Sequence, residues 1–329
     1  MKKILVVLGF VLLLSGCCKN AEKEILRKFT NSVDESKGYQ LNGKLTITRN
    51  ENKYTYDIDS SYKKKDLFRV SLKNTTNKHE QIILKNKSGV YVLTPNLNKS
   101  FKFKSEWPYN NSQIYLLQPL VTDLMNDKAK KFKETKDGYV FTTTVDYAND
   151  KNLVKQKIYL DKDAILKKVE VLDKTGKVVM KLQVKDIDMN ARFSNNYFDV
   201  DKKYFEEANT SEKKTKKTST TDESVYPMYV PVDTYLSSQD VVKTEDGDRT
   251  IMTFAGESPF TLVQGVSSIQ TNNYIDGDPC IVLDTVGAVT DESVMWVSNN
   301  KEYYLTSDVM DTNELLTVAE SISVKAVSK

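Results

Sequence analysis

The chain has 329 residues, with 48 lysines and arginines against 45 aspartates and glutamates, a net charge of +3 and 39% hydrophobic residues. Its one histidine, His79, excludes a multi-histidine metal site, and a Ser-His-Asp triad would have to use it. Its three cysteines are Cys17, the adjacent Cys18, and Cys280, which excludes an internal disulfide framework beyond the N-terminus.

Lys2 and Lys3 precede an apolar run from Ile4 to Leu14. That run is shorter than the roughly 20 residues a membrane span needs, and it fits the apolar core of a secretory signal. The tetrapeptide Leu14-Ser15-Gly16-Cys17 resembles the lipobox of bacterial lipoproteins. The resemblance implies that residues 1–16 are a lipoprotein signal peptide. It also implies that the Cys17 sulfur receives a diacylglyceryl group, which holds the protein on the extracytoplasmic face of the cell membrane. Each buried CH₂ contributes about 0.8 kcal/mol and one chain binds only marginally, so a two-chain anchor is the stable form. The plainer alternative is an ordinary secreted signal with a chance cysteine. Cys18 is either a passenger or a second acylation site.

A first domain is expected over 17–206. Ile25, Phe29 and Val33 recur every four residues, one face of a helix, with Gly38 after it as a stop. The period then becomes two: Leu41, Gly43, Leu45 and Ile47, then Tyr54, Tyr56 and Ile58, then Phe68, Val70 and Leu72. Further strands are expected at 80–86, 89–94, 100–104, 139–146, 153–160, 165–172 and 177–187. Turn signals such as Asp137-Gly138 and Lys174-Thr175-Gly176 separate several of them. Repeated period-two alternation means a large antiparallel sheet, dry on one face, and a sheet of that size must twist, curl or close. Ile114, Leu117, Val121 and Leu124 have helical spacing instead, and Pro119 within them predicts a kinked or two-part helix over 112–126.

A leading helix, a long antiparallel meander and a central helical insertion resemble the LolA/LolB-type fold, an unclosed β-barrel with a helical lid. The run "HEQIILKNKSGVYVLTPNLNKSFKFKSEWPYNNSQIYLLQPL" (79–120) and the closing "FSNNYFDVD" (193–201) resemble the LolA-like lipoproteins of Gram-positive spore formers, the sporulation and germination lipoprotein group. The resemblance spans residues 20–205. It implies a mainly β fold with helices and a role as partner or chaperone in sporulation, germination or envelope assembly. It further implies that the partner is a cell-wall- or cortex-modifying amidase. Carriers of this fold hold acyl chains, so a lipid or lipoprotein carrier or sensor is the alternative.

Residues 207–224, "EANTSEKKTKKTSTTDES", hold no aromatic and no large aliphatic residue, and are expected to be a flexible linker. Beyond it the charge changes sign. Residues 225–329 hold 5 lysines and arginines against 16 aspartates and glutamates, a net of −11, so residues 1–224 carry +14. Such asymmetry points either to anionic partners for the basic half, to docking between the halves, or to two differently charged surfaces. Nucleic acid is not an expected partner of an exported chain. A smaller α+β domain is expected over 225–329, with strands at 249–255, 259–265, 281–286, 294–298 and 302–306. Its closing helix is signalled by Asp311 and Glu314 at capping-box spacing. "TLVQG", "MWVSNNKEYYLTS" and "NELLTVAESI" resemble the DUF4367-type domain, which implies no chemistry.

Catalytic signatures are absent from the sequence: there is no P-loop, GxSxG, HExxH or CxxC. Asp276 and Asp278 sit in a Gly-containing turn, where Asp serves local hydrogen bonding, and a Ca²⁺ loop would need further ligands. A non-catalytic protein without metal or cofactor is therefore expected. The candidate site is an apolar set: Phe101, Phe103, Trp107, Tyr115, Leu116, Leu117 and Leu120. In a curled half-barrel these side chains either line a ligand cavity or fill the core.

Overall fold

The computed structural model describes residues 21–49, 52–95, 99–109, 112–147, 150–201, 224–244, 247–266, 274–298 and 301–322. The expected signal peptide, Cys17, Cys18 and residues 207–223 of the expected linker lie outside the described residues. The fold is mainly β with helices, and the described chain forms two compact units.

The first unit holds helix α1 (residues 21–35), β1 (Gly38–Arg49), β2 (Asn52–Lys63), α2 (Leu117–Asn126), β7 (Lys131–Thr135), β8 (Gly138–Thr144), β9 (Leu153–Leu160), β10 (Leu166–Asp173) and β11 (Val178–Asp188). Its strands run in the order β2-β1-β11-β10-β9-β8-β7, all antiparallel, with β7 an open edge. Alternation builds this sheet. Leu41, Leu45, Ile47, Tyr56 and Ile58 are buried, as are Phe141, Ile158, Val169 and Leu182. The α1 stripe of Ile25, Phe29 and Val33 is buried as its spacing predicts. Each such side chain contributes roughly 1.5–3 kcal/mol of apolar transfer. At the β7–β8 turn Gly138 has φ +147°, and a Cβ there would run into the Leu160 carbonyl, so the turn requires glycine.

The helical insertion differs from expectation. It is one ten-residue helix, and Pro119 is its third residue rather than its middle. The first turn of a helix has no intrahelical acceptors for its N–H groups, so proline there costs no bond and makes no kink.

The second unit holds two sets of strands. β3 (Leu67–Asn74), β4 (Glu80–Asn86), β5 (Gly89–Thr94) and β6 (Lys99–Lys104) form an antiparallel meander. A seven-stranded antiparallel sheet is built from β12 (Thr234–Thr244), β13 (Gly247–Gly256), β14 (Phe260–Val266), β16 (Asp278–Val282), β17 (Thr285–Val289), β18 (Ser293–Ser298) and β19 (Lys301–Thr306). Its order is β12-β13-β14-β19-β18-β17-β16. The strand expected at 281–286 is two strands, because Leu283 takes φ 55° and turns the chain at Leu283-Asp284. Helix α3 (Thr312–Ser321) lays Leu315, Leu316, Val318 and Ala319 on this sheet's core of Met252, Phe254, Leu262, Trp296, Tyr303 and Leu305. Asp311 is its N-cap, accepting from the Glu314 N–H at 2.9 Å.

The two sets join within this unit. β15 (Tyr274–Asp276) adds to β6 as a parallel strand. The Ser105 hydroxyl donates to Asp278 at 2.6 Å, Asn77 donates to Asp284 at 2.6 Å, and the Gln81 side-chain oxygen accepts from the Val286 N–H. Lys104 pairs with Asp276 at 3.0 Å, but both are exposed, so that pair adds little.

Candidate functional site

The structure buries every member of the expected apolar set. In the second unit Phe101 and Phe103 project from β6, and Trp107 lies beyond it, edge-to-face with Phe68 at 6.0 Å. Phe101 and Phe103 line a recess shared with Val286, Ala288, Met295 and Trp296. Its volume of about 20 Å³ is room for about one water, against the several hundred Å³ of a ligand pocket. In the first unit Tyr115, Leu116, Leu117 and Leu120 are all buried at the start of α2. A wider recess of about 510 Å³ in that unit sets Lys37, Lys63 and Arg192 against Glu35.

The start of α2 is held from a distance. Leu116 at the N-cap makes no side-chain capping bond. Instead the phenol of Tyr39 on β1 accepts from the Leu117 N–H at 3.1 Å and donates to Gln118 at 2.9 Å. Farther along the helix Asp123 accepts from Ser112 at 3.0 Å and from Gln156 of β9 at 2.7 Å. Burial pushes the Asp123 carboxyl up to about 6. The bonds from Ser112 and Gln156 pull the other way, and nearby Asp146 adds to the rise. Asp127 just past the helix accepts from the Thr144 N–H at 2.8 Å and the Thr143 hydroxyl at 2.9 Å, which holds its carboxyl below the usual range. Asp123 lines neither recess, and its bonds to Ser112 and Gln156 tie the helix to the sheet. Among the described residues no group of three or more His, Cys, Asp or Glu is placed to hold a metal ion, and no helix is long and apolar enough to cross a membrane.

Among the described residues, exposed large apolar side chains gather elsewhere. Along the entrance to β12, Tyr226, Met228, Tyr229 and Val232 are exposed, and on the strand itself so are Tyr235, Leu236, Val241 and Val242. Met228 and Val232 retain 81% and 82% of their accessible surface. The segment is held in place by Gln264, whose amide accepts from the Val225 N–H and donates to the Val225 carbonyl, both at 2.9 Å. Exposed apolar side chains gathered along one segment in this way mark a candidate interaction site. Sequence reasoning missed it, because β12 does not alternate. The available signal was a run of Tyr, Leu and Val in a segment without any period.

No family model matches the chain. The sporulation protein YdcC of Bacillus subtilis (strain 168) is 34% identical over 316 residues, covering 95% of this chain and 93% of that protein. Among solved structures, a chain of the Pseudomonas aeruginosa MucA/MucB complex is 12% identical and covers 90% of this chain and 96% of its own, with a TM-score of 0.36. A chain of the complex between the CwlD amidase of Clostridioides difficile and the GerS lipoprotein is 18% identical, covering 52% of this chain and 95% of its own, with a TM-score of 0.32. The LolA superfamily protein NE2245 of Nitrosomonas europaea is 12% identical, covering 54% and 97%, with a TM-score of 0.31.

Proposed function

The chain belongs to the family of the sporulation protein YdcC, and from that premise we propose that it is a non-catalytic, lipid-anchored partner protein of the sporulating cell envelope. The observation that carries the binding role is the apolar surface left uncovered from Tyr226 to Val242. The proposed anchor, and with it an extracytoplasmic location at the membrane, is supported by the resemblance of Leu14-Ser15-Gly16-Cys17 to a lipobox. The partner class follows the resemblance of residues 79–120 to germination lipoproteins: an enzyme that modifies cell wall or cortex, such as an amidase. An acyl-chain carrier has less support, because the recess at Phe101 and Phe103 has room for about one water.

The test is isolation of the tagged full-length chain from sporulating cells, with proteins and lipids both identified by mass spectrometry. A stoichiometric wall-modifying enzyme is expected, together with an acylated Cys17 that Cys17→Ser abolishes. Stoichiometric lipid with no protein would replace this reading with the carrier. A normally acylated and processed Cys17→Ser chain would remove the anchor.

A further inference from the structure

β12 is the outermost strand of its sheet, paired through its length with β13 alone. It has eleven residues, about twice the usual strand, and every one after Thr234 is exposed. Edge strands are ordinarily blunted by shortness, charged side chains, proline or bulges; the charged residues of β12 are Asp240 and Lys243. β12 contains no proline. Its one bulge, at Leu236/Ser238, sits near its start and leaves Ser238–Thr244 in regular register with Thr253 through Gly247. This free edge carries an open row of main-chain donors and acceptors. Apolar side chains stand on both of its faces, because Val241 and Val242 are adjacent.

We infer that β12 is a docking edge that accepts an extended, basic peptide segment of a partner as an added strand; the inference rests on the partner-protein reading and names its surface. Main-chain bonding supplies affinity in such additions and side chains supply choice. Charge sets the choice here. Asp233, Asp240, Asp248 and Glu257 lie on β12, on β13 or in the turns beside them, in a C-terminal region of net charge −11. Of the two nearby cations, Arg249 is already engaged by Glu302 at 3.5 Å, which leaves Lys243. A strand bearing lysine or arginine between apolar residues complements this edge. A second copy does not, because it brings another region of net charge −11 against this one.

The test titrates the full-length chain with three labelled seven-residue peptides: alternating valine and lysine, alternating valine and glutamate, and the lysine peptide with a central proline. The lysine peptide is expected to bind at least 10-fold tighter than the glutamate peptide at low salt. The proline peptide, which cannot complete the ladder, is expected to lose at least 10-fold. Asp240→Lys should narrow the lysine preference below 3-fold while binding the glutamate peptide at least as well as the wild type, a gain that a misfolded variant cannot produce. Equal binding of the lysine and glutamate peptides, or of the proline peptide, overturns the proposal. So does a concentration-dependent dimer whose formation expels the peptide, which would assign the edge to a second copy. Wall-enzyme capture from cells that Asp240→Lys leaves unchanged overturns this edge but keeps the partner-protein reading. Capture of no protein at all removes that reading itself.

Discussion

The fully buried Gln156 donates its side-chain amide to the Asp123 carboxylate at 2.7 Å, joining the middle of α2 to the sheet beneath it. A carboxylate so placed has given up most of its water for two hydrogen bonds, and burial wins over them, because its pKa rises.

The pH dependence follows from that direction. The Asp123 carboxyl titrates at about 6 in the folded chain against 3.8 ordinarily. Between these values the folded state holds a proton that the unfolded state has lost, so stability from this group is full below 3.8 and is lost as pH rises through about 6. The loss is on the order of 2–3 kcal/mol. Asp123→Asn should remove this component, so denaturant melts of the two proteins should diverge in the variant's favour between pH 4 and pH 7. Parallel stability curves across that range would refute the assignment. Asp127 and Glu170, whose pKa values are lowered, contribute with the opposite sign in both proteins and cancel in the difference.

Tyr39→Phe keeps the buried ring and removes the hydroxyl that caps α2. The Leu117 N–H then loses its acceptor in a buried position, which costs roughly 1–3 kcal/mol. Hydrogen exchange should quicken at the first amides of α2 before other parts of the first unit change. Unaltered exchange there would mean that Tyr39 does not hold the helix.

Trp296 and Tyr303 face each other across β18 and β19, with ring centroids 5.0 Å apart and planes 9° from parallel. Both are buried, so Trp296→Ala should cost about 3–5 kcal/mol. Tyr304, the next residue, points outward and is 40% exposed, and Tyr304→Ala should stay within about 0.5 kcal/mol. Comparable losses from both substitutions would contradict the assigned faces of β19.

Trypsin is expected to cut first at Lys213, Lys214, Lys216 or Lys217, in the stretch whose composition cannot build a core. The two fragments should nevertheless elute together from a native sizing column. The bonds Ser105–Asp278, Asn77–Asp284 and Gln81–Val286 and the β6–β15 pairing all cross the cut within one compact unit. Separate elution would show that these contacts do not survive without the covalent link.

Much of the fold was readable residue by residue. Leu41, Leu45 and Ile47 announce β1 because one face of that strand is dry, and Asp311 announces α3 because a cap is a local bond. What escaped reading is where locality ends. β7 and β12 are edge strands with wet side chains, so alternation has nothing to record. β15 is three residues long and owes its strand form to β6, far away in sequence. The role of Tyr39 as the cap of α2 is likewise a tertiary fact that no spacing near Leu117 reveals. The apolar set at 101–120 was readable as buried, whereas the exposed run from Tyr226 to Val242 was not.

The lateness of β15 bears on how the chain comes together as it is made. Ser105 at the end of β6 must wait 173 residues for Asp278. Until then a growing chain carries a finished β3–β6 meander whose outer edge is unpaired, with Phe101 and Phe103 lacking their Val286 and Trp296 neighbours. Contacts this distant slow folding, and an open apolar edge during that interval is a template for self-association. A chain ending before Tyr274 would keep that edge indefinitely. Shortened forms should therefore aggregate through β6 even though every strand of the first unit is present.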